Sequence, residues 1–132
     1  MNTLSASVIS MDLSTHLCVL HTMVNVDTFE LILAENPLFI QGDTVVLVFK
    51  ETEVILQKTP LPTSSANAYK GIVKTIEDGI VLTSVTLAFH DTTIVSLITT
   101  SAYKRLGITI GDEIVWMVQP SEISLMRGND GI

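Results

Sequence analysis

The chain of 132 residues contains one sequence pattern twice, and this internal repeat limits the folds open to it. The segment QGDTVVLVFKETEVILQK (41–58) aligns without a gap over IGDEIVWMVQPSEISLMR (110–127). Both segments contain a Gly-Asp pair, a shared Val and a shared Glu, and both end in a basic residue. A pattern that recurs over such a length indicates one supersecondary unit used twice. We therefore expect two units of the same fold.

The earlier part of each half aligns at a slightly different offset. Ala6-Ser-Val8 lies over Gly71-Ile-Val73. The offset changes where the second half has SAYKRLG (101–107) and the first half has only Asn36-Pro37-Leu38. The extra residues predict a short helical turn at roughly 100–106, which is trimmed in the first half.

A break between the two halves lies at TPLPTSSAN (59–67). Two prolines followed by small polar residues are typical of a linker. The sequence therefore predicts a first module at 1–59, a linker with an opening motif at 60–67, and a second module at 68–132.

Each half consists of short apolar, β-branched segments that turn residues separate. Five such segments per half, with the helical turn between the third and the fourth, favour an all-β fold of two tandem five-stranded OB-like (Greek-key) barrels, each with one short helical turn. A barrel of about 60 residues buries only a thin core. Since 47% of the residues are hydrophobic, we also expect self-association.

The charge balance argues against several classes of partner. Seven basic and fourteen acidic residues give a net charge of −7. Proteins that bind nucleic acid need a basic face, and so do proteins that bind anionic membranes.

No apolar stretch reaches the length of about 18 residues that a membrane span needs. The N-terminus lacks the features of a signal peptide, and the single Cys18 indicates a reducing compartment and a place in the core. We therefore expect a cytoplasmic protein.

Enzymatic and metal-binding motifs are missing from the sequence. It has no GxGxxG, Walker, GxSxG or HExxH motif. His16 and His21 are five residues apart in a strand-like segment, so they should point to opposite faces, which disfavours a metal site. The Gly-Asp pairs at 42–43 and 111–112 are interpreted as turn devices, in which Gly supplies a positive φ and Asp bonds nearby backbone N–H groups. We predict that the protein is not an enzyme.

Hydroxyl and amide side chains are concentrated at a few positions. Ser64 and Asn67 precede the second repeat, Thr99 begins the helical turn, and Thr52 and Ser121 occupy the same position before the last strand of each repeat. Hydroxyl donors and backbone N–H groups with one lysine suit a small tetrahedral oxyanion. The alternative is that these residues only cap and turn the backbone.

These motifs resemble the Mop/TOBE family of molybdate-binding modules. SSANAYKG (64–71) resembles the family's opening Ser-Ala-Arg-Asn-x-Leu-Lys-Gly, and TTSAYKRLGI (99–108) resembles its Thr-Asn-x-Ser-x-x-x-Leu-Gly-Leu. VQPSEI (118–123) and KETEV (50–54) resemble its closing Lys-Ala-Ser-x-Val. The resemblance covers roughly 4–58 and 64–127, and the tandem order is similar to that of two-module molbindins.

The resemblance implies a cytoplasmic homotrimer that binds molybdate or tungstate at interfaces between modules or subunits, for intracellular molybdenum storage, buffering or delivery. Carried over by motif, the oxyanion-binding residues are Lys50, Thr52, Ser64, Asn67, Thr99, Ser101, Gln119 and Ser121. An alternative function is a ligand-free TOBE-type interaction or regulatory module that acts through a protein partner. An oligonucleotide-binding OB domain is disfavoured, because only 5% of the residues are aromatic and the net charge is −7.

The chain departs from the family motif at several positions. The motif Arg is Ala66, and the motif Ser of the helical turn is Ala102. The motif Lys is kept as Lys50 but is Gln119 in the second repeat, whereas the motif Thr is kept as Thr99 but is Ala34 in the first. A complete site must therefore combine Lys50 and Thr52 with groups from the other repeat or from another subunit.

Overall fold

The computed structural model describes residues 1–127 of the chain. Its strands are β1 (Asn2–Leu13), β2 (Cys18–Val24), β3 (Asp27–Leu33), β4 (Thr44–Phe49), β5 (Ile55–Gln57), β6 (Ala68–Asp78), β7 (Leu82–Phe89), β8 (Thr92–Thr99), β9 (Glu113–Met117) and β10 (Ser124–Arg127). Helix α1 spans Thr100–Leu106, and 3-10 turns span Glu51–Glu53 and Pro120–Glu122. Within the part of the chain described, no helix has the length and apolarity needed to cross a membrane.

The strands form two five-stranded antiparallel sheets with the same topology. One sheet has the order β10-β4-β1-β2-β3 and the other has the order β5-β9-β6-β7-β8. In each sheet the fourth long strand returns to lie beside the first, which is the Greek-key arrangement. The predicted all-β fold class of two tandem five-stranded modules is confirmed.

The closing strands are exchanged between the two repeats. Strand β5 follows β4 in sequence but pairs with β9, whereas β10 follows β9 but pairs with β4. The described chain accordingly divides into unit 1, formed by 1–49 and 119–127, and unit 2, formed by 50–118. This division differs from the modules at 1–59 and 68–132 that we expected, because the strand that closes each sheet comes from the other repeat.

The Gly-Asp pairs build the same turn in both units, as predicted. Gly42 has a φ of 93° and Gly111 a φ of 94°, which is the left-handed region that favours glycine. The Asp43 carboxylate accepts from the Ile40 N–H at 3.0 Å, and the Asp112 carboxylate accepts from the Thr109 N–H at 2.9 Å. The hydrogen bonds from Thr109 hold the pKa of the Asp112 carboxyl below its ordinary value.

Each turn is anchored to the long first strand of its sheet at a β-bulge. The Val8 N–H donates to the Asp43 carbonyl at 2.9 Å, and the Val73 N–H donates to the Asp112 carbonyl at 2.9 Å. The register of β1 shifts directly after Val8, and that of β6 shifts directly after Val73. A bulge increases the local twist of a strand, and its repetition at equivalent positions confirms the internal repeat.

The core of each unit is built from alternating strand positions. In unit 1, Leu20, Leu31 and Leu47 are fully buried, and Cys18 is buried as predicted. In unit 2, the Trp116 ring packs edge-on against Phe89 with centroids 5.0 Å apart, and against Tyr69 at 5.0 Å. Aromatic pairs in this geometry add about 0.5–1.5 kcal/mol beyond the burial of their area.

The connection between the third and fourth strands differs between the units. In unit 2 it contains α1, at the position where the sequence predicts a helical turn. Thr99 caps its first turn and Gly107, with a φ of 64°, ends it. In unit 1 the shorter connection at 34–43 runs through bends and turns, which agrees with the trimming expected from the alignment.

Candidate functional site

A cavity of about 360 Å³ lies in unit 2 where β8, α1 and the segment leading into β5 meet. Its apolar walls include Val54, Leu56 and Leu97. The polar side chains that line it are Thr52, Thr99 and Arg105. The exchange of β5 brings Thr52, from the first repeat, to the same cavity as Thr99, from the second.

Thr99 is held at the cavity by its place at the end of β8 and the start of α1. Its backbone is extended, and its hydroxyl accepts from the Ala102 N–H at 3.1 Å. A threonine hydroxyl has one proton to donate and two lone pairs. Because Thr99 uses a lone pair for the cap, its proton is available to an acceptor in the cavity.

Thr52 lies in the 3-10 turn Glu51–Glu53, which a reciprocal pair of bonds closes. The Lys50 N–H donates to the Glu53 carboxylate at 2.9 Å, and the Glu53 N–H donates to the Lys50 carbonyl at 3.0 Å. The buried Ser96 hydroxyl then donates to the Val54 carbonyl at 2.8 Å. This bond joins the turn to β8, the strand that ends at Thr99, so both hydroxyls are positioned by the same element.

Asn67 has a structural place in unit 2. It is fully buried, and its side-chain oxygen accepts from the Tyr69 hydroxyl at 3.3 Å. Its backbone N–H donates to the Ser65 hydroxyl at 3.1 Å, and its carbonyl accepts from the Val118 N–H at 3.1 Å. These bonds attach the opening motif to the chain segment after β9.

The other residues predicted for the site do not line this cavity. Lys50, Ser64 and Ser101 belong to unit 2 and are exposed. Gln119 and Ser121 are exposed in unit 1, at the 3-10 turn Pro120–Glu122. The structure therefore brings Thr52 and Thr99 together and leaves the remaining predicted residues outside the cavity.

Comparison with known proteins identifies the family of the second repeat. Residues 63–125 match the TOBE domain family. The resemblance to the Mop/TOBE family that the sequence motifs indicate is thereby confirmed. The matched segment follows the sequence repeat and includes the first two residues of β10, although that strand closes the sheet of unit 1.

The fold of the chain is also similar to a solved structure over nearly its whole length. The crystal structure of ModG, described as a cytoplasmic molybdate-binding protein with molybdate bound, matches with a TM-score of 0.88 and 26% sequence identity. The match covers 94% of this chain and 94% of that chain. No curated protein sequence gives a significant match.

Unit 1 has a cavity at the equivalent place, with different chemistry. It has a volume of about 520 Å³ and lies where the end of β3 meets β10. Ala34 occupies the position of Thr99, and Glu35 follows it. The wall from the closing strand contains Ile123 and Leu125. This cavity offers the Glu35 carboxylate and one hydroxyl residue, Ser124, where unit 2 offers two threonines and an arginine.

Sequence reasoning missed Arg105 as a residue of the unit 2 cavity. The signal that could have found it is helical spacing, because residues three apart on a helix share a face. Arg105 lies three residues after Ala102, which is the position of the motif Ser.

Sequence reasoning also missed Lys58. Its ammonium donates to the Gly107 carbonyl at 2.9 Å and so stabilises the end of α1.

One histidine, His21, belongs to a cluster with carboxylates in unit 1. His21 Nε2 is 2.8 Å from an Asp12 carboxylate oxygen, and His21 Nδ1 is 3.9 Å from Glu30. Within residues 1–127, no group of three His, Cys, Asp or Glu side chains is arranged to hold a metal ion.

Proposed function

We propose that the protein binds molybdate, or the similar tungstate, in the unit 2 cavity and serves in cytoplasmic molybdenum storage, buffering or delivery. The observation that carries the proposal is the meeting of Thr52 and Thr99 in one cavity. Both occupy motif positions of the Mop/TOBE resemblance, and the fold is similar to that of ModG with molybdate bound. In this role the chain acts as a binding protein and not as an enzyme.

The chemistry of the cavity suits a tetrahedral dianion. Two hydroxyl donors come from different elements, and both threonines are exposed, so an oxyanion can reach them from solvent. The net charge of −7 slows the approach of an anion without deciding its affinity. Sulfate has the same charge and shape, so the size of the cavity would decide against it.

The proposal includes a homotrimer, which the family resemblance implies. Large apolar side chains remain exposed in unit 2, and Ile80 at the β6–β7 turn is 98% exposed. Contact with other copies would cover such side chains. Lys50, Ser64 and Ser101 are exposed and therefore available to complete an oxyanion site in the assembly.

Native mass spectrometry with and without molybdate, with sulfate as a control, tests the ligand and the assembly together. We expect a trimer that gains discrete molybdate masses and no sulfate masses. Isothermal titration with molybdate and tungstate then gives the affinities, and Thr52→Ala combined with Thr99→Ala should abolish the heat. A wild-type protein that gains neither oxyanion up to millimolar concentration would refute the proposal.

The second candidate function is a ligand-free interaction or regulatory module that acts through a protein partner. Ala34, Ala66, Ala102 and Gln119 at motif positions favour it, because each replaces a side chain that the motif would use. In this case Lys50→Ala leaves the oligomeric state unchanged, and the wild-type protein shows no heat with either oxyanion.

A further inference from the structure

We propose that Arg105 is the cation that recognises the oxyanion in the unit 2 cavity and makes up for the missing motif Arg. The inference rests on the proposed function and deepens it by naming the charged group. The motif Arg is Ala66, and Lys50 does not line the cavity, whereas Arg105, which like Lys50 is exposed to solvent, does. Among the residues that line the cavity, only Arg105 has a positively charged side chain.

Helical geometry directs Arg105 to the cavity. Ala102, Arg105 and Leu106 are spaced i, i+3 and i+4 on α1, and all three line the cavity. Ala102 has only a methyl group as its side chain, whereas the family motif has Ser at this position. The small side chain leaves space beside Thr99 in which a longer group from the next turn can reach the same volume.

Arg105 is not committed to another ionic partner. Within residues 1–127, no hydrogen bond or ion pair engages its guanidinium. The nearby Lys58, in contrast, donates to the carbonyl that ends α1. A guanidinium is planar and carries a fork of N–H donors, so it can bind two oxygens of one oxyanion at the same time.

The cavity of unit 1 shows what the arginine changes. Its lining includes Glu35, whereas none of its lining residues is Arg or Lys. A carboxylate beside apolar walls repels a dianion, and Ala34 supplies no hydroxyl there. The two cavities thus have opposite electrostatic character, and the inferred anion site belongs to unit 2.

The test compares Arg105→Gln and Arg105→Lys with Lys104→Gln in isothermal titrations with molybdate. Lys104 is an ideal matched control because it is adjacent on α1, exposed and outside the cavity lining, and its substitution changes the net charge equally. Because a charge-assisted hydrogen bond to the oxyanion is lost, we expect Arg105→Gln to weaken binding about tenfold. Arg105→Lys should recover part of the loss, and Lys104→Gln should stay within about twofold of the wild type.

The outcomes separate this inference from the function on which it rests. If the wild type binds molybdate and Arg105→Gln binds as tightly as Lys104→Gln, the inference is wrong and the proposed function stands. If the wild type binds no oxyanion, both fail. Circular dichroism of each variant verifies folding, and Arg105→Lys, which keeps the charge, provides the comparison should Arg105→Gln be unfolded.

Discussion

Val46 on β4 of the first repeat lies opposite Met126 on β10 of the second repeat. By the alignment of the repeats, the residue equivalent to Met126 in the first half is Gln57, and Gln57 lies opposite Val115. Each sheet is therefore closed by the strand of the other repeat. The same exchange places Thr52 in the cavity that contains Thr99.

The exchange predicts where a disulfide can form. Residues directly opposite in an antiparallel pair have Cβ atoms about 4.5–5.5 Å apart, close enough for a cross-link with a small adjustment. We expect the double variant Val46→Cys/Met126→Cys to form an intramolecular disulfide on mild oxidation, detected by non-reducing electrophoresis and mass. The native Cys18 is fully buried and should not interfere. The control Val46→Cys/Gln57→Cys should form no intramolecular bond, and a bond in the control would contradict the observed pairing.

Thr99 is expected to affect stability and binding together. Thr99→Ala removes the hydroxyl that accepts from the Ala102 N–H, and the loss of an N-cap of this kind costs about 1 kcal/mol. It also removes a donor from the cavity, so molybdate affinity should fall. Thr99→Ser keeps the hydroxyl and should preserve most of both properties. Urea unfolding and titration measure them separately, and a destabilised Thr99→Ala that binds like the wild type would exclude Thr99 from the site.

The stability of unit 2 should depend on the Asp112 carboxylate in acid. Its pKa is lowered in the folded state, chiefly because the backbone N–H and the side-chain hydroxyl of Thr109 hydrogen-bond to it. A carboxyl with a depressed folded pKa contributes stability above its unfolded pKa of 3.8, and this contribution is lost as the pH falls through the folded pKa. Asp112→Ala should therefore lower the urea midpoint at neutral pH and flatten its decline between about pH 5 and 2.

Asp112→Asn is the matched control for this experiment, since it keeps an oxygen acceptor for the Thr109 N–H at 2.9 Å but cannot titrate. It should retain more stability than Asp112→Ala at neutral pH while showing the same flattened decline in acid. If the urea midpoint of both variants declines in acid as steeply as that of the wild type, another group causes the decline.

Gly79 is expected to tolerate no side chain. A Cβ at this position would overlap the carbonyl oxygen of Leu82, which is backbone and cannot move aside cheaply. The Gly79 carbonyl also accepts from the buried Thr100 hydroxyl at 2.8 Å. Gly79→Ala should therefore destabilise the protein by about 2 kcal/mol or more in urea unfolding. Ser101→Ala, at an exposed position on α1, should change stability by less than about 0.5 kcal/mol, and equal effects of the two substitutions would contradict the clash.

Much of the candidate site followed from local sequence signals. The helical turn near 100–106 was predicted from an alignment offset, and Thr99 was selected because it precedes that turn. The need to combine Thr52 with groups outside its own repeat followed from motif residues missing in each half. Arg105 was not found, because its spacing of three residues from Ala102 points to the cavity only once the face that α1 presents there is known.

The sequence by itself determined the properties that depend on neighbouring residues. Alternation of apolar and polar positions specifies strands, and the Gly-Asp pairs specify turns because a positive φ and a short acceptor act within a few residues. Only the tertiary structure decided which strand closes which sheet. The segments around β5 and β10 have nearly the same pattern, so either could pair with β4 or β9, and local preference does not separate the two arrangements. The choice depends on contacts between residues far apart in the chain, and it decides which side chains share a cavity.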